Sequence, residues 1–345
     1  MLVTGLLGAL NVSTSCFAGN PFITSIYTAD PSARVWGDGR LYIYASHDDY
    51  PPTEYNKMDG YHVFSTDDLV NWTDEGEILN SKQVSWGLPG GGFMWAPDCA
   101  FKNGTYYLYF PHPSGEDWNE TWKIGIATSQ KPASDFTSQG YIKSVGGPGI
   151  IDPNVFVDEN GAAYLYVGGA GTCYGGKLKN NMVELDGQML TMIGLTDFYS
   201  ATWVFKRDGT YFLTYADAHP EGSRMHYATS QNPLGPWTYR GIYLSSTGPQ
   251  NNQGSVVEYK GRWYAFYHNQ FLSGQENLRS ICIDRLFFDT KKGTITEVAQ
   301  SSTGVPSVGS GPAAKRPSIK YEAENGELSH GATVTDKPEA SGGKC

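Results

Sequence analysis

Two Asp-Pro pairs stand at matching places in this chain. Asp30-Pro31 and Asp152-Pro153 each begin nine residues ahead of a turn glycine, Gly39 and Gly161. Ser200 keeps the same nine-residue offset from Gly209, and Asp98 precedes Gly104 by six. Two carboxyl groups converging on a cleft suit hydrolysis of a glycosidic bond, where one carboxylate activates water and one carboxylic acid protonates the leaving oxygen. The same Asp-Pro text also caps strands and turns, because Asp bonds nearby backbone and Pro costs no ladder bond at a strand entrance. Spacing alone leaves both readings open.

The elements that must carry these residues repeat. A glycine followed by alternating aromatic and aliphatic residues recurs at Gly39, Gly104, Gly161, Gly209 and Gly261, as in Gly104-Thr-Tyr-Tyr-Leu-Tyr109. Most of these glycines sit in a short polar turn after an apolar segment, which is a hairpin signature. A further strand pair follows most hairpins, for example Met225-His-Tyr-Ala-Thr-Ser230 leading to Trp237. Four strands recurring roughly every 50 residues describe propeller blades. The expected fold is therefore all-β, a five-bladed β-propeller with the acids at one mouth of its channel. A β-sandwich with coincidental self-similarity is the alternative.

Composition agrees. The 345 residues include 23 Tyr, 9 Trp and 42 Gly, with only 17% charged residues, which fits short strands and tight turns. A net charge of −10 opposes nucleic-acid binding. Residues 1–19 are apolar, then small, and read as a signal peptide, so the protein is expected to be secreted and extracellular. No other segment is apolar enough to cross a membrane. The five cysteines form no Cys-x-x-Cys pair, which leaves zinc and thioredoxin-like chemistry unsupported. A Cys99–Cys173 or a Cys173–Cys282 bridge is open. Residues 20–298 form the expected propeller. Residues 299–319, rich in Ser, Gly and Pro, read as a linker. Residues 320–345 begin something new, too short to fold alone.

Taken together, Thr28-Ala-Asp30-Pro-Ser-Ala33, Met94-Trp-Ala-Pro-Asp98, Ile151-Asp152-Pro-Asn-Val-Phe156 and Gly261-Arg-Trp-Tyr264 with Phe266-Tyr-His268 resemble glycoside hydrolase family 43. The resemblance covers roughly residues 20 to 298. Tyr321-Glu-Ala-Glu324 with Ala340-Ser-Gly-Gly343 resembles the start of a family 6 carbohydrate-binding module, hence a truncated β-sandwich fragment at the C-terminus. The first resemblance implies a five-bladed propeller that hydrolyses with inversion, with α-L-arabinofuranosidase, β-xylosidase, arabinanase and exo-galactanase among the family's activities. It implies that Asp30 is the general base and that Asp152 raises and orients the acid.

The family's general acid, a Glu three residues before an aromatic, falls on Ser200 in Ser200-Ala-Thr-Trp203. A serine hydroxyl is far too weak an acid for that task. Glu184 and Glu221 are the nearby alternatives. The family's central histidine is replaced by Gln253, so no functional metal and no cofactor are expected. Trp95 is a candidate for stacking on a sugar, Arg279 matches a family arginine near the site, and His47 is placed at the same mouth. The expected partner is a plant cell-wall polysaccharide, xylan or arabinoxylan, bound by a monomer. The expected reaction is exo α-L-arabinofuranosidase or β-xylosidase hydrolysis; the alternative is a glycan-binding propeller without turnover.

Overall fold

The structure, a computed structural model, describes residues 16–49 and 54–309. Its strands form a circular series of antiparallel meanders. Blade one is β1 (Thr28–Val35), β2 (Leu41–His47), β3 (Gly60–Thr66) and β4 (Trp72–Asn80). Blade two is β5 (Asp98–Lys102), β6 (Thr105–Pro113), β7 (Trp122–Ser129) and β8 (Thr137–Gly146). Blade three is β9 (Asn154–Val157), β10 (Ala163–Gly169), β11 (Thr172–Leu178) and β12 (Leu190–Thr191). Blade four is β13 (Ser200–Arg207), β14 (Thr210–Ala216), β15 (Met225–Ser230) and β16 (Thr238–Leu244). Blade five holds β17 (Ser255–Tyr259), β18 (Arg262–Asn269) and β19 (Ser280–Arg285). A small hairpin follows, β20 (Phe287–Asp289) with β21 (Thr294–Thr296).

The five repeated glycines are what the hairpins need. All have φ between 72° and 81°, the left-handed region that costs glycine nothing. At Asn103-Gly104, Asp208-Gly209 and Lys260-Gly261 both residues have positive φ, the pattern of the type I′ turn that matches strand twist.

Apolar faces of adjacent blades pack into five cores. Blades one and two share Tyr44, Val63, Leu108 and Phe110; blades two and three share Ile126, Val155 and Leu165. Blades three and four share Tyr166, Val204 and Leu213; blades four and five share Phe205, Phe212, Ala265 and Tyr267. Blades five and one close the ring through Ile43, Phe64, Phe266 and Ile283. Each large side chain buried in this way contributes about 1.5–3 kcal/mol.

Both ends of the described chain serve that closure. The Phe22 amide bonds the Ile281 carbonyl, and the Asn20 side chain exchanges bonds with the Ile283 backbone at 2.9 and 3.0 Å. Residues 20–22 thus lie along the outer edge of the three-stranded blade. Ala18, Gly19 and Asn20 donate in turn to Val305, Thr303 and Ser302. Val305 and Val308 are buried in the closing core. Residues 299–309, read from composition as the first part of a linker, therefore lie against the propeller. The apolar start of the chain to residue 15 and the fragment from residue 320 onward lie outside the described residues. Cys99, Cys173 and Cys282 are free and buried, so neither bridge considered from sequence is formed.

Candidate active site

The inner strands β1, β5, β9, β13 and β17 surround one axis. Midway along it, Asp98 accepts bonds from the Ser32 hydroxyl (2.6 Å), Arg34 Nε (3.0 Å) and Nη2 (2.5 Å), Asn154 Nδ2 (3.0 Å) and the Val155 amide (2.6 Å). The Arg34 guanidinium also lies 4.1 Å from the centre of the Trp203 ring. This buried ion pair ties four blades together. The sequence placed Asp98 at the mouth with the other acids; its oxygens are instead consumed below it.

Above this pin a pocket of about 280 Å³ opens, lined from every blade by residues including Asp30, Trp95, Asp152, Ser200, Gln253 and Arg279. Two matching backbone bulges shape its floor. In blade one the pairing slips between Ala29 and Ser32, and in blade four between Ser200 and Trp203. Asp30, Asp152 and Ala201 have φ of 56°, 51° and 66°, unusual for residues other than glycine and found where strands are re-aimed. Asp30 and Asp152 are thus equivalent positions, as their offsets implied. Ser200 is not: it aligns with Ala29, and Ala201 with Asp30. The blade-one turn is longer, with Val35 paired to Leu41 against Arg207 paired to Thr210, and that extra length shifted the count. Ser200 still lines the pocket.

Asp30 is held by a cation and a hydroxyl. Arg279 Nη1 lies 3.1 Å from its Oδ1, and the Ser46 hydroxyl donates to its Oδ2. Arg279 is 3% exposed and is itself locked by Asp48, with Nε to Oδ2 at 2.9 Å and Nη2 to Oδ1 at 2.7 Å. Burial opposes the charge on Arg279, but Asp30 and Asp48 outweigh it and hold the guanidinium more firmly protonated than usual. Behind Asp30, His268 Nδ1 accepts from the Asp30 amide (3.1 Å), while Nε2 lies 2.8 Å from the Asn251 carbonyl. Burial, then the charge of Arg279, lowers the His268 pKa to about 4, so this ring is neutral and serves as a brace.

Asp152 has a different setting. Its Oδ2 accepts from the Ala201 amide at 2.9 Å, and among the described residues no cation pairs with it. Burial, then the negative charge of Asp30, pushes its pKa up to about 7; the Ala201 amide, the Ser200 hydroxyl and Arg279 offset only part of this. Two equivalent carboxyl groups in unlike settings can play opposite parts in proton transfer.

Trp95 presents its ring to the pocket. Its indole N–H donates to the Tyr55 carbonyl at 2.8 Å, its carbonyl accepts from the Tyr61 hydroxyl at 2.6 Å, and Trp122 backs it at 4.7 Å. Such a fixed aromatic face suits the C–H face of a sugar. His47 is not part of the pocket. Successive strand residues face opposite ways, so Ser46 and Asp48 point toward Asp30 and Arg279 while His47 points away. It lines a separate depression with residues 24–27, Asp48 and Leu272, and its ring lies 5.0 Å from His62. Glu184 pairs with Lys179 (2.8 Å) on the surface, and Glu221 is exposed in the loop after β14, outside the pocket lining. Among the described residues no group of three or more His, Cys, Asp or Glu is placed to hold a metal.

Sequence reasoning missed Tyr55, Asn251 and Asp48. Tyr55 donates to the Glu276 carbonyl at 3.1 Å and carries the Arg279 guanidinium 5.1 Å from its ring. Asp48 stands beside His47 in Ser46-His-Asp48, so the alternation of β2 was the available signal.

Comparison with known proteins agrees with this geometry. A xylosidase/arabinosidase 43A from Humicola insolens is 34% identical over 80% of this chain and 98% of its own. An arabinoxylan arabinofuranohydrolase from Bacillus subtilis is 31% identical over 94% of this chain and 71% of its own. A β-xylosidase/α-arabinofuranosidase from a compost microbial metagenome, solved with xylotriose in a calcium-free form, superposes with a TM-score of 0.74 at 32% identity, over 82% of this chain and 98% of that one. The family model for glycosyl hydrolases family 43 matches residues 18–294, and the chain belongs to that family.

Proposed function

We propose that this protein is a secreted, inverting glycoside hydrolase of hemicellulose, an exo α-L-arabinofuranosidase on arabinoxylan or a β-xylosidase, whose general-acid position is occupied by Ser200. The observation that carries the reading is the pairing of Asp30, bonded by Arg279 and Ser46, with a second carboxyl, Asp152, whose pKa burial and the charge of Asp30 push up to about 7. Asp30 takes a proton from the attacking water. Arg279 and Ser46 hold its carboxylate in place, and His268 braces its backbone amide. Trp95 holds the sugar. The pocket volume, about 280 Å³, falls just below the usual ~300–1,000 Å³ for ligand sites, which suits a terminal sugar better than a stretch of polymer. The named activities of the relatives from Humicola insolens and Bacillus subtilis support the substrate class. The apolar start supports secretion, and the segment from residue 320 supports an appended glycan-binding module.

Ser200 favours a second reading, a propeller that binds glycan without turning it over. One experiment separates them. Arabinoxylan and xylobiose are incubated with the native chain and with Ser200→Glu, and released arabinose and xylose are quantified. The proposal expects slow release by the native chain and release faster by about 10²-fold or more by the variant. A folded Ser200→Glu protein that releases neither sugar overturns it.

A further inference from the structure

We propose that Asp152, acting through the Ser200 hydroxyl, supplies the proton taken by the departing sugar oxygen; this rests on the glycosidase reading above. Among the described residues lining the pocket only Asp30 and Asp152 carry a carboxyl group, and none is a His, Lys or Cys. Asp30 is committed to the opposite task by its bonds from Arg279 and Ser46. The lining phenols are Tyr55 and Tyr199, and a phenol is a weaker acid than a carboxylic acid. Burial, against the charge of Arg279, pushes the Tyr55 pKa up further, to about 12. Glu276 borders the pocket from outside, its Oε1 accepting from the Gln250 amide at 3.1 Å.

The charged and titratable groups facing Asp152 are Asp30 on β1, Arg279 ahead of β19 and Tyr61 on β3. Asp30 and burial favour the protonated form; Arg279 is already divided between Asp30 and Asp48. The carboxyl therefore still holds its proton near neutral pH. The Ala201 amide holds Asp152 Oδ2 at 2.9 Å, which sets this carboxyl one residue from Ser200 in the same pocket; a serine hydroxyl both donates and accepts, so Ser200 can pass that proton on without ionising. The step balances. The anomeric C–O bond breaks with its electron pair going to the leaving oxygen, which takes the Ser200 proton while Ser200 takes that of Asp152. Asp30 accepts a proton from the water whose oxygen bonds the anomeric carbon. Asp30 ends protonated and Asp152 ionised, and exchange with solvent restores both.

The test compares xylobiose, or an arabinofuranosyl oligosaccharide if Ser200→Glu prefers it, with the matching 2,4-dinitrophenyl glycoside, whose leaving group needs no proton. The readout is the ratio of kcat/KM on the two substrates. Asp152→Asn and Ser200→Ala should each lower this ratio by about 10²-fold or more, and the double variant should lower it no further. The native rate on the natural substrate should fall as pH rises through about 7, and that limb should vanish in Asp152→Asn. Equal losses on both substrates would make Asp152 a positioning residue and overturn the proposal. So would an unchanged ratio in Ser200→Ala, or a selective loss in Tyr199→Phe or Glu276→Gln. If the native chain cleaves only the dinitrophenyl glycoside while Ser200→Glu cleaves both, Asp152 supplies no proton, yet the glycosidase reading stands. If neither protein cleaves either substrate, that reading fails as well.

Discussion

Replacing Asp152 by Asn should stabilise the protein at alkaline pH and leave acid stability nearly unchanged. Asp152 is 6% exposed, and burial with the charge of Asp30 raises its pKa from an ordinary 3.8 to about 7 in the folded state. A carboxyl raised in this direction adds stability that is fully present below the unfolded pKa and is lost as pH rises through the folded one. The shift is about three units at roughly 1.4 kcal/mol each, so ionised Asp152 destabilises the folded state by about 4 kcal/mol above pH 7 relative to acid conditions. Asn keeps the acceptor for the Ala201 amide and removes the charge. At roughly 2 °C per kcal/mol for a domain of this size, Asp152→Asn should melt several degrees higher than the native chain at pH 8. The gap should shrink steadily toward pH 4. Differential scanning calorimetry at half-unit steps between pH 4.5 and 8.5 measures it. Parallel curves with a constant offset would show that Asp152 has no raised pKa, and the assignment of unlike roles to the two aspartates would lose its physical basis.

Asp98→Asn should cost about 3–5 kcal/mol in denaturant unfolding, because it leaves Arg34 charged and unmatched on the axis; a loss under 1 kcal/mol would mean the ion pair does not pin the blades. Asp30→Asn should lower kcat by at least about 10²-fold on any glycoside, activated or not, with an unchanged circular dichroism spectrum; retention of most turnover would place the base elsewhere. Trp95→Ala should raise KM roughly fivefold, from the loss of about 1 kcal/mol of ring contact, with little change in kcat; an unchanged KM would make the ring a packing residue only.

The ring of blades was legible because each one announces itself locally. A turn glycine forced to positive φ and followed by alternating aromatics is a short-range signal, and it occurs once per blade. Asp30 and Asp152 were legible for the same reason, since each sits at a fixed distance from its own turn. That ruler misled at Ser200, where a longer turn in blade one displaced the count by one residue. It misled at Asp98 too: Asp98 pairs with Tyr109 as Ser32 pairs with Tyr44 and Asn154 with Tyr166, so it lies two residues further along its strand than Asp30 and Asp152 do on theirs. The groups that tune Asp30 were harder to find. Arg279 is 249 residues away in the chain and Asp48 reaches Arg279 across 231, so their meeting depends on closure of the ring. Closure itself was hidden by composition. Residues 299–309 look like a linker because they are small and polar, yet backbone bonds and two buried valines hold them against the propeller.

The central claim is that Asp30 activates water for attack on the far side of the sugar, and the anomer first released tests it most directly. With Ser200→Glu acting on a xyloside or arabinofuranoside, proton NMR within the first minutes should show the sugar of inverted configuration, converting later to the equilibrium mixture. First release of the retained anomer would contradict the account, because a carboxylate would then have bonded the sugar as a nucleophile instead of deprotonating water.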